Sequence, residues 1–278
     1  LVIALAQKKL LREPVAGAIR YSILGQGKRL RPILMLAAYR ACGGEADASA
    51  LAACIEVVHA YSLVHDDLPC MDDDDMRRGR PTTHRVDGVA IATAAGVAMV
   101  PLAGRAAGDV AAQLGLPYAS QAAIVRELMR ASGGGGMVGG QLLDLEGEGS
   151  SLSIEQLERI HSAKTGALIS ASARIGGIAA NASDAGLDAL TTYGDAIGLA
   201  FQIADDVLDA TSTTAALGKT AGRDVELRKS TYPMLLGVDR AVERARSLVE
   251  HACAALERAG LRTSTLEMLA RYAIARTS

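Results

Sequence analysis

Residues 51–69 read LAACIEVVHAYSLVHDDLP. The stretch is almost continuously apolar until it reaches Asp66 and Asp67, and Pro69 cannot continue a helix cleanly. It is expected to be an interior helix that ends in acid. That is a poor place for carboxylates, because the helix macrodipole is negative at its C-terminus. The charge then builds further: aspartates occupy six of the ten positions 66–75, and Arg77 and Arg78 follow. Carboxylates this close repel one another and raise one another's pKa. The bland reading is a solvated acidic loop in which Arg77 and Arg78 neutralise Asp72–Asp75. The sharper reading is that something strongly positive completes the cluster, since a spot that breaks two local rules usually marks function.

A second stretch shares the plan. TTYGDAIGLAFQIADDVLDATS (191–212) has an apolar body followed by DDVLD at 205–209, and the four-residue spacing puts Asp205 and Asp209 on one helix face. Two such clusters on two buried helices are expected to point at one another across a cavity. Oxygen donors without His or Cys favour a hard cation, magnesium above all. Magnesium prefers one or two carboxylates plus substrate phosphates, so metal ions bridging aspartates to a diphosphate are expected. The ligand order of a calcium EF-hand is missing. Basic residues stand close by: GQGKRLRP (25–32) supplies Lys28, Arg29 and Arg31, while Lys164, Lys219 and Lys229 each lie near a Gly, Thr or Ser. Singly, each lysine reads as a surface charge.

The rest of the chain narrows the class. Its 278 residues carry a net charge of −2 with no basic tract, which argues against nucleic acid as the main partner. Aromatics make up 3% and Trp is absent, so base stacking is not its trade. Cys42, Cys54, Cys70 and Cys253 lack CxxC spacing and read as free thiols of a reducing compartment, and a cytoplasmic location is expected. A removed organelle signal before Leu1 stays open. Residues 89–104 (VAIATAAGVAMVPLAG) are uncharged but short of the roughly 20 apolar residues of a spanning helix, and Pro101 interrupts them, so a buried helix is expected and no integral membrane segment. Helical signals dominate elsewhere. LSIEQLERIHSAKTGALIS (152–170) reads as a helix opened by a capping box from Ser153 to Gln156, and SGGGGMVGG (132–140) as a helix with a glycine face. Strand signals are nearly absent. The expectation is a single all-α domain over residues 1–278, a bundle of about ten helices.

Seven ordered motifs carry a resemblance: GKRLRP, HAYSLVHDDLPCMDDDDMRRG, GMVGGQLLDL, AKTGAL, FQIADDVLD, LGKTAG and KSTYP. Over residues 12 to 278 the chain resembles the trans-prenyl diphosphate synthases, most of all the bacterial farnesyl and plant-type geranylgeranyl enzymes. The resemblance implies helices around a central active-site cavity, a homodimer, and about three Mg2+ ions. It implies that Asp66, Asp67 and Asp72, with Asp205, Asp206 and Asp209, hold those ions against an allylic diphosphate. Arg77, Lys164, Thr165, Gln202 and Lys219 would contact the same substrate, with Lys229 near it. Lys28, Arg31, His59 and Arg78 would hold isopentenyl diphosphate. Ionisation of the allylic C–O bond, attack by the isopentenyl double bond and loss of a proton to the departed diphosphate then make the longer chain. Apolar walls must exclude water from the cation.

Product length is set in the family just before the first aspartate motif. At about 100° per residue, Ser62 lies about 40° from Asp66 and Tyr61 about 140° away, so periodicity favours Ser62 and only the resemblance selects Tyr61. A bulky Tyr61 argues for fifteen carbons. The chain departs from the family at Gln26, which replaces a Gly, and at Ala94, Val97, Pro101 and Gly104, which remove bulk and a charge from the helix expected to support the tail pocket. Ala94 and Gly104 argue for twenty carbons. Farnesyl diphosphate is therefore the expected product and geranylgeranyl diphosphate the alternative. A non-catalytic subunit of a heteromeric synthase is a rival of another class, but it could afford to lose an aspartate motif that this chain keeps. A terpene cyclase would lack Lys28, Arg31 and the second DDxxD.

Overall fold

A computed structural model describes residues 12–211 and 230–275. Thirteen α-helices and one π-turn make up nearly all their regular structure, so the all-α reading is correct. The chain divides into two compact units, Leu1–Leu36 with Ala46–Met129 and Ala37–Glu45 with Arg130–Ser278.

In the first unit, α1 (Val15–Ile23) and the start of α2 (Leu30–Ala41), whose residues from Ala37 belong to the second, precede α3 (Ser49–Asp66), the apolar helix expected from residues 51–67. A small antiparallel ribbon follows, β1 (Met76–Arg77) on β2 (Arg80–Pro81), with Met76 opposite Pro81 and Arg77 opposite Arg80. This two-residue ribbon is the only sheet among the described residues, in keeping with the near absence of strand signals. Arg78 and Gly79 turn the ribbon with φ of 53° and 74°, the pair of positive values that suits a two-residue hairpin. Then come α4 (Thr83–Asp87), α5 (Val89–Gln113) and α6 (Tyr118–Ser132).

Helices α3 and α5 pack against each other, both largely buried, and Val64 of α3 and Leu68 just beyond it cluster with Ala92 of α5. Ala92 and Gly96 bring the backbones close. A Cβ on Gly96 would stand 2.1 Å from Nε2 of His65. That nitrogen lies 3.2 Å from the Thr93 carbonyl and, facing an acceptor, carries the proton.

Helix α5 is longer than its sequence suggested. It runs 25 residues, straight through Pro101, and by length and hydropathy it could cross a bilayer. Proline deprives the carbonyl four residues earlier of its partner. That residue is Val97, 63% exposed, so water can reach the orphaned oxygen. The opposite face of α5 is used up inside the unit.

In the second unit, α7 (Met137–Gly147) precedes α8 (Ile154–His161), a π-turn (Ser162–Gly166), α9 (Ala167–Ala179) and the long α10 (Asp184–Thr211). From Tyr232 on come α11 (Tyr232–Leu236), α12 (Val238–Arg258) and α13 (Ser264–Ile274). The capping box at Ser153 and Gln156 forms as expected. The single helix expected over 152–170 does not: the π-turn interrupts it at SAKTG. π-Bulges of this kind recur at functional sites.

Glycines explain how that turn is held. Gly194 and Gly198, one turn apart on α10, would place added Cβ atoms 2.5 Å from Ser170 Cα and 2.8 Å from Gly166 Cα. On α7, a Cβ at Gly140 would fall 2.1 Å from the Lys164 nitrogen. The glycine run therefore serves close packing at Gly140, as its sequence suggested, while residues 133–136 form the turn before α7. Helix α12 is amphipathic, burying Ala241, Ala245, Leu248, Val249, Ala252 and Leu256 at helical spacing. The fully buried Tyr193 donates its hydroxyl to the Leu266 carbonyl at 2.7 Å, tying α10 to α13.

Gly198→Ala should cost about 1–3 kcal/mol in denaturant unfolding, because its methyl meets backbone that cannot step aside. Gly108→Ala is the control. Its methyl would meet only Val125 Cγ2 at 3.5 Å, and it should be neutral or stabilise by up to about 1 kcal/mol through helix propensity.

Candidate active site

The acidic loop closes on itself. After α3 ends, the Asp72 N–H donates to the Asp66 carbonyl at 2.8 Å and the Asp73 N–H to the Leu68 carbonyl at 3.1 Å. The first and last aspartates of DDLPCMD thus come side by side, each half-buried. Asp67 is 3% exposed and turned inward. Arg77 meets it with two donors, Nε at 2.8 Å and Nη2, and Nη2 also reaches Asp74 at 3.0 Å. Burial raises the pKa of Asp67 and Asp72 adds to the rise, while Arg77 opposes it. Asp75 is paired with Arg85, which the sequence reading had not singled out.

Only half of the bland reading survives. Arg77 does serve the aspartates, but Arg78, in the turn of the ribbon with left-handed backbone, points away from them. Its Nη1 donates to the Gln26 carbonyl at 2.8 Å, and its Nη2 lies 3.3 Å from Nε2 of His59. Gly27 leaves the space for this, since a Cβ there would be 2.4 Å from the guanidinium. The Gln26 departure is accommodated because only its carbonyl is used, and its φ is not positive. Arg29, with φ of 51°, bonds the Ile23 carbonyl and pairs with the buried Glu56 of α3. The result is a cleft in the first unit ringed by Arg29, Arg77, Arg78 and Arg80, with Glu56 and Asp67 between them.

His59 stands in this cationic corner. Its pKa is pushed well below the ordinary value, first by burial and then by Arg31, Arg78, Arg29 and Arg77. The ring is therefore neutral and accepts from Arg78 at Nε2. Lys28 is exposed and Arg31 half-buried. Tyr61 is half-buried and meets His65 edge to face at 4.9 Å. Ser62 instead turns its hydroxyl to the His59 carbonyl at 2.9 Å. Ala94 lies on the exposed face of α5 with Val97 and Pro101, whereas Gly104 is buried against Met129, whose Cε would be 3.1 Å from an added Cβ. The bulk lost at Gly104 is thus replaced from α6.

In the second unit, Asp206 and Asp209 are buried and Asp205 and Gln202 half-buried. Oδ2 of Asp206 accepts the Tyr232 backbone N–H at 3.0 Å and faces Nε2 of His161 at 3.3 Å. Lys164, on the π-turn beside Thr165, donates to Asp144 at 2.6 Å. Asp144, His161 and Tyr232 were not picked out as site residues from the sequence. Asp144 lies in GMVGGQLLDL, which carried the resemblance without being given a role. Lys219 and Lys229 fall outside the described residues. No three His, Cys, Asp or Glu side chains among the described residues gather into a ready metal centre. An all-oxygen donor set of this open kind suits magnesium, whose remaining ligands are waters and phosphates.

Residues 12–263 match the polyprenyl synthetase family. The farnesyl diphosphate synthase of Escherichia coli (strain K12) is 46% identical over 273 residues, covering 95% of this chain and 89% of that protein. Two solved structures align with it. An apo FPP/GFPP synthase from Zymomonas mobilis gives a TM-score of 0.83 at 34% identity, covering 97% of this chain and 93% of that one. A geranyltransferase from Helicobacter pylori, complexed with magnesium and isoprenyl diphosphate, gives 0.81 at 31%, covering 95% and 88%. The fold is that of the all-α isoprenoid synthases. Within that class the chain belongs to the polyprenyl synthetase family and is a short-chain prenyl diphosphate synthase, a prenyltransferase.

Two outcomes follow from this corner. Arg77→Ala strands a buried carboxylate and should cost about 3 kcal/mol or more in unfolding free energy; Arg77→Lys should recover only part, lacking the two-pronged geometry. The pH dependence concerns His59. The unfolded ring titrates near 6.5, and the folded ring lower. Stability should therefore fall as pH drops below about 6.5, at up to about 1.4 kcal/mol per pH unit, until the folded pKa is passed. Urea unfolding at pH 7.5 and 5.5 should show a larger loss for wild type than for His59→Gln.

Proposed function

We propose that this chain joins isopentenyl diphosphate to dimethylallyl and then geranyl diphosphate, stops at farnesyl diphosphate, and uses magnesium. The observation that carries the reading is the ribbon at 76–81. It sends Arg77 to the aspartates on one side and Arg78 to the neutral His59 on the other. A reaction between two diphosphates needs two anion-receptive places close together, and one hairpin builds both. Lys28, Arg31, His59 and Arg78 take isopentenyl diphosphate. Arg77 in the first unit, and Lys164, Thr165, Gln202, Lys219 and Lys229 further along the chain, are each assigned to the allylic diphosphate from the family pattern.

Half-buried Asp66, Asp72 and Asp205 hold magnesium directly, while the buried Asp67, Asp206 and Asp209 fix the motifs from within the protein. Magnesium supplies charge that stabilises the departing diphosphate. The neutral His59 adds no competing positive charge and leaves Arg78 aimed at anion. The apolar length of α3 keeps water from the cation. Tyr61, braced by His65, closes the pocket, and Met129 filling the space at Gly104 supports fifteen carbons over twenty. A homodimer fits the exposed apolar strip of α5, where Ala90, Ala94, Val97 and Pro101 share one face.

The test is product analysis. With isopentenyl diphosphate and dimethylallyl, geranyl or farnesyl diphosphate, products should end at fifteen carbons and vanish with chelator. Tyr61→Ala should extend them to twenty or more. Twenty-carbon products from the unmodified chain would refute Tyr61 as the floor, and no elongation from any primer would refute the stand-alone enzyme.

A further inference from the structure

One polar network in the second unit reaches from Asp206 to side chains that have no role in the reaction as described. Its centre is Oδ2 of Asp206, where two donors converge: the Tyr232 N–H at 3.0 Å and Nε2 of His161 at 3.3 Å. A carboxylate can only accept, so this ring nitrogen carries a proton. The imidazole lies nearly parallel to the Tyr232 ring, centroids 5.8 Å apart and planes 18° apart. Tyr232 is fully buried, and its hydroxyl donates to Oε1 of Glu158 at 2.8 Å. Arg244 reaches the same oxygen at 3.2 Å. Burial, then Glu158, raises the pKa of the phenol, which keeps it a donor. The chain Arg244–Glu158–Tyr232–Asp206 therefore links α12, α8, α11 and α10, and His161 closes it from the end of α8.

We propose that His161 is a positioning residue for the second aspartate motif: with the Tyr232 N–H it anchors Asp206, and through Asp206 it sets how Asp205 meets magnesium and diphosphate. Three features support this over a core histidine that merely fills space. The ring donates to a motif carboxylate and not to a main-chain carbonyl. It is 12% exposed, at the edge of the packed interior. It is also the last residue before the π-turn that carries Lys164 and Thr165, so one side chain joins the cation-bearing turn to the aspartate-bearing helix. Groups that orient metal-binding carboxylates in this way typically change metal affinity or activity 10–100-fold when removed, on the order seen for such outer partners generally.

The inference rests on the reading of DDVLD as a metal-binding motif. The experiment measures Mn2+ binding by electron paramagnetic resonance in the presence of inorganic pyrophosphate, alongside steady-state kinetics and thermal unfolding without metal. His161→Leu should weaken Mn2+ binding by about 10-fold or more and lower kcat with it, leaving the KM for isopentenyl diphosphate unchanged. His161→Gln, whose amide can replace Nε2 as donor, should restore most of both at a similar metal-free unfolding temperature. Should His161→Leu fail to fold, His161→Asn serves, since its shorter amide falls short of Asp206. Wild-type Mn2+ affinity in the Leu or Asn variant, or a Gln variant as weak as they are, would overturn the positioning role. Absence of pyrophosphate-dependent Mn2+ binding in the wild type would overturn the metal reading itself, and this inference with it.

Discussion

A carboxylate buried at the negative end of a helix is stable only if a cation is brought to it, and the first unit is arranged around that requirement. Asp67 sits at the end of α3 with almost no contact with water, and Arg77 supplies two donors. Arg77 arrives there because Arg78 and Gly79 accept left-handed backbone and fold the chain back as a hairpin. Just before it, a separate turn closes the acidic loop so that Asp72 returns to Asp66. The hairpin also turns the next arginine away from the aspartates, onto His59. The ion pair at Asp67 and the corner proposed for isopentenyl diphosphate therefore sit on one hairpin.

The second unit solves a different problem, that of presenting lysine and aspartate from helices that lie unusually close. Gly140, Gly194 and Gly198 remove the side chains that would keep the backbones apart. The π-turn takes up the space and carries Lys164 toward Asp144. Buried polar groups of this kind are costly unless fully partnered. Asp206 meets that condition through Tyr232 and His161, which is why the short helix α11 matters to a motif on α10.

Much of this was legible in the sequence, for identifiable reasons. The apolar runs at 51–67 and 191–212, the capping box at Ser153 and the acid at each helix end are local patterns, and each formed an element of the expected type. The seven ordered motifs reached further, to the family and its chemistry. What escaped notice were partners distant in sequence. Glu56 for Arg29, Asp144 for Lys164, and His161 with Tyr232 for Asp206 carry no local signal, because a charged or aromatic residue in a helix looks the same whether it faces water or a partner. The π-turn was hidden likewise, since SAKTG continues a helical pattern without a break.

By itself, then, the sequence determined the helical class, the two acidic motifs and the family, because these depend on periodicity and on the order of residues along the chain. Only the tertiary structure decided which aspartates are turned inward, which way each arginine of RRG points, and what fills the space at Gly104. Gly104 shows why. Seen along the chain it is a missing side chain and a deeper pocket; in the folded unit Met129 of α6 occupies the room. Burial and pairing depend on neighbours that only folding supplies.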